Sequence, residues 1–242
     1  MFKILDLLFV PKCAACGERM DKSGDGVCAV CRRALENAQS NTYCEDCGME
    51  ARLCRCIPTL MLLADCRSYR KLLFYDPSKN PNIVRRYLYA LKRRHFLPQV
   101  KAAGAQLAKL ADELPEDTVV TFAPRTRAAL KKYGYDQSRL IAKSLAKETD
   151  LTFLPLLRRR VLDFSGEQKK LNAKSREENV KNAFVATHPK EIYGKTVLLI
   201  DDVVTAGATM AACAECLYTA GARAVHCISL AYTVKKKNKI PN

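Results

Sequence analysis

The segment Val197-Leu-Leu-Ile-Asp201-Asp202-Val-Val-Thr205-Ala206-Gly207-Ala208-Thr209 constrains the fold more than any other stretch of the chain. An apolar run of strand length leads into two adjacent carboxylates, then a short loop of small and hydroxyl-bearing residues, then an amphipathic helical pattern. A strand feeding a helix N-terminus in this way is a unit of a parallel α/β sheet, and such sheets bind ligands at the carboxyl ends of their strands. Loop N–H groups, the hydroxyls of Thr205 and Thr209 and the positive end of the helix dipole make a site for a phosphate. Two carboxylates beside it suit ribose hydroxyls and Mg²⁺, a hard cation that prefers oxygen ligands. Either aspartate alone would be read as capping a strand and a turn. The ordered combination with Thr-x-Gly-x-Thr is much more restrictive and predicts a phosphate-ribose site.

The flanking sequence agrees with such a sheet. Val119 to Phe122 is a second short apolar run, and Ala222 to Tyr232 is a third, longer strand candidate. Helical spacing is carried by Val84, Leu88 and Leu91, by Val100, Ala103, Leu107 and Leu110, and by Leu140, Ile141 and Leu145. Strands alternating with helices predict an α/β domain over residues 67–234, its parallel sheet covered on both faces.

Ahead of this domain the composition changes. Nine of the 12 cysteines fall in residues 1–66, which carry 8 Lys+Arg against 9 Asp+Glu, while the remaining residues carry 33 against 16 and hold the whole basic excess of the +16 chain. The cysteines come as Cys13-Ala-Ala-Cys16-Gly, Cys28-Ala-Val-Cys31, Cys44-Glu-Asp-Cys47-Gly and Cys54-Arg-Cys56. Two thiolates held in a tight turn can reach one tetrahedral Zn²⁺, and two such knuckles complete a four-sulfur site, so eight sulfurs suffice for one or two structural zinc ions. A disulfide scaffold is the alternative, but Phe2 to Val10 is short, interrupted by Asp6 and lacks a small-residue cleavage site. Without a secretion signal the expected compartment is the cytoplasm, where thiols stay reduced. Sequential and interleaved pairing of the knuckles are both allowed, and Cys54-x-Cys56 departs from the two-residue spacing. So small a segment has too little apolar material to fold alone, and metal would supply its stability. Cys213 and Cys216 also read C-x-x-C, but within a helical stretch, which predicts buried packing.

Hydrophobic content of 48% with 10 Gly and 10 Pro excludes a disordered or collagen-like chain. No apolar run approaches the ~18 residues of a membrane span, which predicts a soluble protein. Residues 77–111 hold no acidic side chain. On a helix Arg85, Arg86, Tyr89, Lys92 and Arg93 share the face opposite Val84, Leu88 and Leu91, and Arg94 follows. Basic groups interleaved with aromatics can track the backbone and stack the bases of single-stranded DNA. A solvated helix face is the plainer reading of the same pattern. The tail, residues 235–242, carries Lys235-Lys-Lys237-Asn-Lys239 and adds nonspecific attraction.

The Asp201–Thr209 run resembles the phosphoribosyl pyrophosphate (PRPP) motif of type I phosphoribosyltransferases, and nearly the whole chain resembles the ComF/ComFC family, associated with competence and DNA uptake in bacteria. Further family-like segments are Phe9-Val-Pro-Lys-Cys13, Leu91-Lys92, Ala123-Pro124-Arg125, Tyr133-Gly-Tyr-Asp-Gln137 and Leu157-Arg-Arg159. Two departures stand out: Ala206 replaces the usual Thr, and Tyr133-Gly-Tyr-Asp replaces the usual Arg-Gly-Phe-Asn. The resemblance implies a type I phosphoribosyltransferase-like fold with a small N-terminal zinc-binding domain. It implies PRPP with Mg²⁺ as ligand, Asp201 and Asp202 as the catalytic pair, and Thr205 to Thr209 as the phosphate loop. Pro124 and Arg125 then form the pyrophosphate loop, Lys92 faces the same charge, and residues 164–181, with Lys174 and Arg176, form a hood over the ligand. Two functional classes follow: a transferase acting on an unidentified acceptor, or a non-catalytic adaptor for single-stranded DNA or other competence proteins.

Overall fold

The computed structural model describes residues 12–20, 26–78, 82–93, 97–111, 114–160 and 183–234. Arg94, Lys174, Arg176, the expected hood 164–181 and the tail 235–242 lie outside them. The strands are β1 (Ser68–Tyr75), β2 (Val119–Phe122), β3 (Thr152–Phe153), β4 (Leu157–Arg159), β5 (Phe184–Ala186), β6 (Thr196–Val204) and β7 (Ala224–Thr233). The helices are α1 (Ala29–Ser40), α2 (Thr59–Leu63), α3 (Ile83–Arg93), α4 (Leu97–Ala108), α5 (Arg127–Tyr133), α6 (Gln137–Glu148), α7 (Pro189–Ile192) and α8 (Ala208–Thr219).

Five strands form one sheet in the order β1–β7–β6–β2–β3, every neighbouring pair parallel. β6 is central, and its alternation divides the core. Leu198 and Ile200 point to the face covered by Val84, Leu88 and Leu91 of α3, Val100, Ala103 and Leu107 of α4, and Ile141 and Leu145 of α6. Val197 and Leu199 point to the other face, with Met61 of α2 and Met210, Cys213 and Leu217 of α8. Burying one such side chain contributes about 1.5–3 kcal/mol, so the near-continuous apolar run of β6 holds both layers. The α4–α6 contact is close because Gly104 has no side chain: a Cβ there would lie 2.4 Å from Ser144 Cβ and 2.9 Å from the Leu145 nitrogen.

Two strands differ from the sequence expectation for local reasons. β7 begins at Ala224 rather than Ala222, because the end of α8 runs through Gly221 at φ +94° and the Ala222 N–H still bonds the Leu217 carbonyl at 3.1 Å. β1 carries Arg70 and Lys71 inside an otherwise apolar run, which masks its strand pattern. Lys71 is nonetheless fully buried, with its Nζ donating to the Cys56 carbonyl at 2.9 Å and lying 4.8 Å from the Tyr69 ring centroid. A separate antiparallel pair, β4 with β5, flanks residues 161–182.

Candidate functional site

The mouth of β6 presents the two carboxylates. Asp201 Oδ1 accepts from Ser138 Oγ at 3.2 Å and from the Asp202 N–H at 2.8 Å. Asp202 Oδ1 accepts from the Val203 N–H at 2.7 Å; its other oxygen accepts from Gln137 Nε2 and faces Lys92 Nζ at 3.3 Å. Burial first, and then the neighbouring Asp202 charge, push the Asp201 carboxyl well above the usual carboxylate range. An oxygen donor set of this kind suits a hard divalent cation and ribose hydroxyls.

Beyond β6 the chain turns through exposed Thr205 and Ala206 into buried Gly207, whose φ of +87° only glycine adopts without strain. Ala208 and Thr209, both half-buried, open α8. No side chain among the described residues caps this helix, so its first N–H groups face the loop and favour an anion.

The end of β2 carries the next expected site residues. Pro124 and Arg125 are half-buried, and the backbone there is fixed by two bonds: Arg125 N–H to Asp136 Oδ2 at 2.9 Å and Arg159 Nε to the Pro124 carbonyl at 3.0 Å. Arg125 Nη1 donates to the Tyr135 carbonyl at 3.1 Å, and its guanidinium lies 5.0 Å from the Tyr133 ring centroid. Tyr133 and Tyr135 thus position Arg125 in this chain. Asp136 also caps α6 through the Arg139 N–H at 3.2 Å, and burial raises its carboxyl above the ordinary range. A groove of about 630 Å³ opens here, walled by Phe122, Tyr135 and Leu157 and lined by Arg125, Arg139 and Arg158 among its cations; its lining includes Pro124 and Arg125 and no residue of β6 or of the loop that follows it.

Gln137 and Ser138 were not anticipated as site residues. Their signal was available: Gln137, Ile141 and Leu145 recur at four-residue spacing, so a polar side chain falls on the buried face of α6 and requires a partner inside.

The cysteines resolve into two sets in sequential order, Cys13, Cys16, Cys28 and Cys31, then Cys44, Cys47, Cys54 and Cys56, with all four sulfurs of each set within 4.8 Å of one another. Cys16 and Cys28 sulfurs are 3.8 Å apart, and those of Cys47 and Cys54 are 3.6 Å apart. A tetrahedron with Zn–S of about 2.3 Å has edges of about 3.8 Å, so both sets fit structural zinc. The short Cys54-x-Cys56 spacing falls in a segment with no regular secondary structure, not in a helix. Cys213 is buried in α8 and Cys216 is half-buried, as expected for packing residues.

On α3 the basic face emerges as the periodicity predicted: Arg85, Arg86, Tyr89 and Arg93 are exposed while Val84, Leu88 and Leu91 are buried. The Arg93 guanidinium stacks 4.0 Å from the Tyr89 centroid. Lys92 turns away from that face toward Asp202.

Residues 136–241 match the phosphoribosyl transferase domain family, and residues 4–67 match the double zinc ribbon family. The chain therefore joins a phosphoribosyltransferase-like α/β fold to an N-terminal zinc ribbon pair. Among solved structures it is similar to glutamine phosphoribosylpyrophosphate amidotransferase from B. subtilis, at 24% identity over 53% of this chain and 25% of that one, TM-score 0.37. The allosteric regulatory enzyme of purine biosynthesis gives 23% identity over 54% and 25%, TM-score 0.37. Adenine phosphoribosyltransferase from Leishmania tarentolae gives 15% identity over 60% and 74%, TM-score 0.36. The chain spans about a quarter of the length of the first two. No curated protein sequence matches it significantly. No helix among the described residues is long and apolar enough to cross a membrane.

Proposed function

We propose that this protein binds PRPP with Mg²⁺ at the mouth of β6 and acts as a phosphoribosyltransferase on an unidentified acceptor, in the setting of DNA uptake and natural transformation. The observation that carries the reading is the Asp201–Asp202 pair leading through left-handed Gly207 into the uncapped N-terminus of α8. In this reading the N–H groups from Ala206 to Thr209, with the Thr205 and Thr209 hydroxyls, hold the phosphate of the ribose. Ala206 removes one hydroxyl from the motif and leaves the backbone donors in place. Asp201 and Asp202 accept the ribose hydroxyls, with Gln137 and Ser138 fixing their rotamers. Lys92 and Arg125 face the pyrophosphate, and Lys174 and Arg176 of the hood, outside the described residues, would add to that charge. Mg²⁺, when bound, offsets the charge on the leaving pyrophosphate. The bond from C1 to pyrophosphate breaks with oxocarbenium-like character, so the protein's part is positioning, exclusion of water and stabilisation of leaving-group charge. The setting in DNA uptake rests on the resemblance to the ComF family. Calorimetric titration of PRPP with Mg²⁺ tests the reading: saturable binding is expected, lost in Asp201→Asn/Asp202→Asn. Absence of binding by folded wild-type protein overturns it.

A second reading, a single-stranded DNA adaptor in the cytoplasm, is favoured by the exposed Arg85, Arg86, Tyr89 and Arg93 face with its stacked Arg93–Tyr89 pair. Arg86→Glu/Arg93→Glu should weaken DNA binding and flatten its salt dependence. Unchanged binding at every salt concentration removes α3 from the proposal.

A further inference from the structure

The phosphate loop is backed by the zinc-binding region rather than by its own domain. A Cβ placed on Gly207 would lie 2.8 Å from Met61 Cγ, 3.1 Å from Met61 Sδ and 3.3 Å from Pro58 Cβ. Met61 is fully buried, in one cluster with Val204 at the end of β6 and Met210 in α8. The turn that turns loop into helix therefore rests on two side chains of the segment preceding β1. That segment is α2, five residues long, and a helix so short has no stability of its own. Its position is set from its ends. The far end is tied by Cys66 N–H to the Met61 carbonyl at 3.0 Å, Arg67 N–H to the Val225 carbonyl at 2.9 Å and Tyr218 Oη to the Asp65 carbonyl at 2.7 Å. The near end is Cys56, the last sulfur of the second cysteine set, separated from Pro58 by Ile57 alone.

We propose that Pro58 and Met61 are positioning residues for the phosphate loop, and that metal loading of the second cysteine set controls how tightly that loop holds its anion. The anion's identity rests on the PRPP reading above; the mechanical link does not. With metal bound, Cys56 is a fixed point one residue from Pro58, so Gly207 and the first turn of α8 have a rigid floor. With metal lost, the Lys71 bond to the Cys56 carbonyl is left to hold the near end of α2, and the loop samples more conformations in which its N–H groups no longer converge.

Amide hydrogen exchange on the full chain reads the link without any ligand. Local openings govern exchange of Ala211 to Cys213, the first bonded amides of α8, whose ladder begins with the Ala211 N–H bonded to the Gly207 carbonyl at 2.9 Å. Met61→Ala and Cys54→Ser/Cys56→Ser should each speed this exchange about tenfold, a change of the size expected when a buried side chain is truncated or a staple removed. Met61→Leu should restore the wild-type rate. Leu217→Ala, an equally buried truncation at the far end of α8, should lower global stability and leave these amides alone. In parallel, PRPP·Mg²⁺ titrations should show affinity falling about tenfold in Met61→Ala at unchanged zinc content, the binding counterpart of the same loss of order. Wild-type exchange rates in Met61→Ala, or equal acceleration by Leu217→Ala, overturn the positioning role. Faster exchange with unaltered PRPP affinity overturns control of the anion. If wild-type protein binds no PRPP, the ligand reading fails while exchange still decides the link.

Discussion

The two cysteine sets begin alike and end apart. Cys13 and Cys44 each start a knuckle closed by a left-handed glycine, Gly17 at φ +84° and Gly48 at φ +69°. Each is stitched by the same bonds, Cys13 N–H to the Glu18 carbonyl at 2.7 Å and Cys44 N–H to the Met49 carbonyl at 2.8 Å, with matching bridges Lys12 to Arg19 and Tyr43 to Glu50. The completing pairs differ. Cys28 caps α1 and Cys31 lies in its first turn, so the first set ends in a helix whose face packs on β1 and α3. Cys54 and Cys56 lie on irregular chain that continues directly into α2. The first set thus staples a small module onto the large core. The second is bonded to the sheet through Lys71 and leads to Pro58 and Met61, which lie against Gly207. Under the proposal above, one ligand chemistry would serve as a fold staple in one place and as a positional part in the other.

The largest effects should come from breaking each set in turn. Cys31→Ser and Cys54→Ser should each lower zinc content from two ions per chain to one, read by release to a chromogenic chelator. Removing a structural metal from so small a module should cost several kcal/mol of the stability that it confers, of order 3 kcal/mol or more. Only Cys54→Ser should accelerate exchange at Ala211 to Cys213; equal acceleration by Cys31→Ser would erase the distinction. Gly104→Ala supplies a control that removes no ligand of either set and acts on the face of α4 turned to α6. Its Cβ clashes with Ser144 and the Leu145 backbone, so a loss of about 1–3 kcal/mol is expected from overpacking, with zinc content unchanged. Zinc loss in that variant would mean that general destabilisation, not ligand removal, empties the sites.

Lys71→Met should give an intermediate effect. A fully buried ammonium beside a four-thiolate metal site offsets negative charge and holds the Cys56 carbonyl. Its removal should speed chelator extraction of one zinc about tenfold, equivalent to about 1.4 kcal/mol, and leave the other at the wild-type rate. Two equally accelerated zinc ions would break the comparison from the opposite side.

How much of this was legible beforehand differs by region. β6 and its loop could be read because the apolar run, the Asp-Asp pair and the small-residue turn are contiguous, and α3 and α6 because their apolar spacing is regular. The sequential sharing of sulfurs was not decidable, since knuckle spacing fixes the reach of each pair and not its partner. Gln137 and Ser138 were missed because their partners, Asp202 and Asp201, are distant in sequence, although Gln137 on a buried helical face was a sign. Met61 was missed for a plainer reason. An apolar residue in a short segment carries no period, and its contact with Gly207 exists only once α2 is folded beneath α8. β1 was hidden by Lys71, a buried cation whose justification is a carbonyl in the other module.

The smallest expected effect lies at the receiving end of the link. Burial and the adjacent Asp202 raise the Asp201 carboxyl above its unfolded range, so the folded protein holds a proton there to higher pH than the unfolded chain does. Between the unfolded value near ~4 and the raised folded value, the native state binds more protons, and stability falls as pH rises through that window. Above it the full cost of the buried charge is present in the ligand-free protein. Asp201→Asn cannot ionise, and its Oδ1 still accepts from Ser138 and the Asp202 N–H. The variant should therefore show a modestly higher denaturation midpoint than wild type at pH 7, with the two converging near pH ~4. The same substitution in the Cys54→Ser background should give a smaller gain, because under the proposal a Gly207 turn that has lost its floor would admit water to the β6 mouth and relieve Asp201 of part of its burial. Equal gains in both backgrounds would show that the second cysteine set does not govern how closed that mouth is.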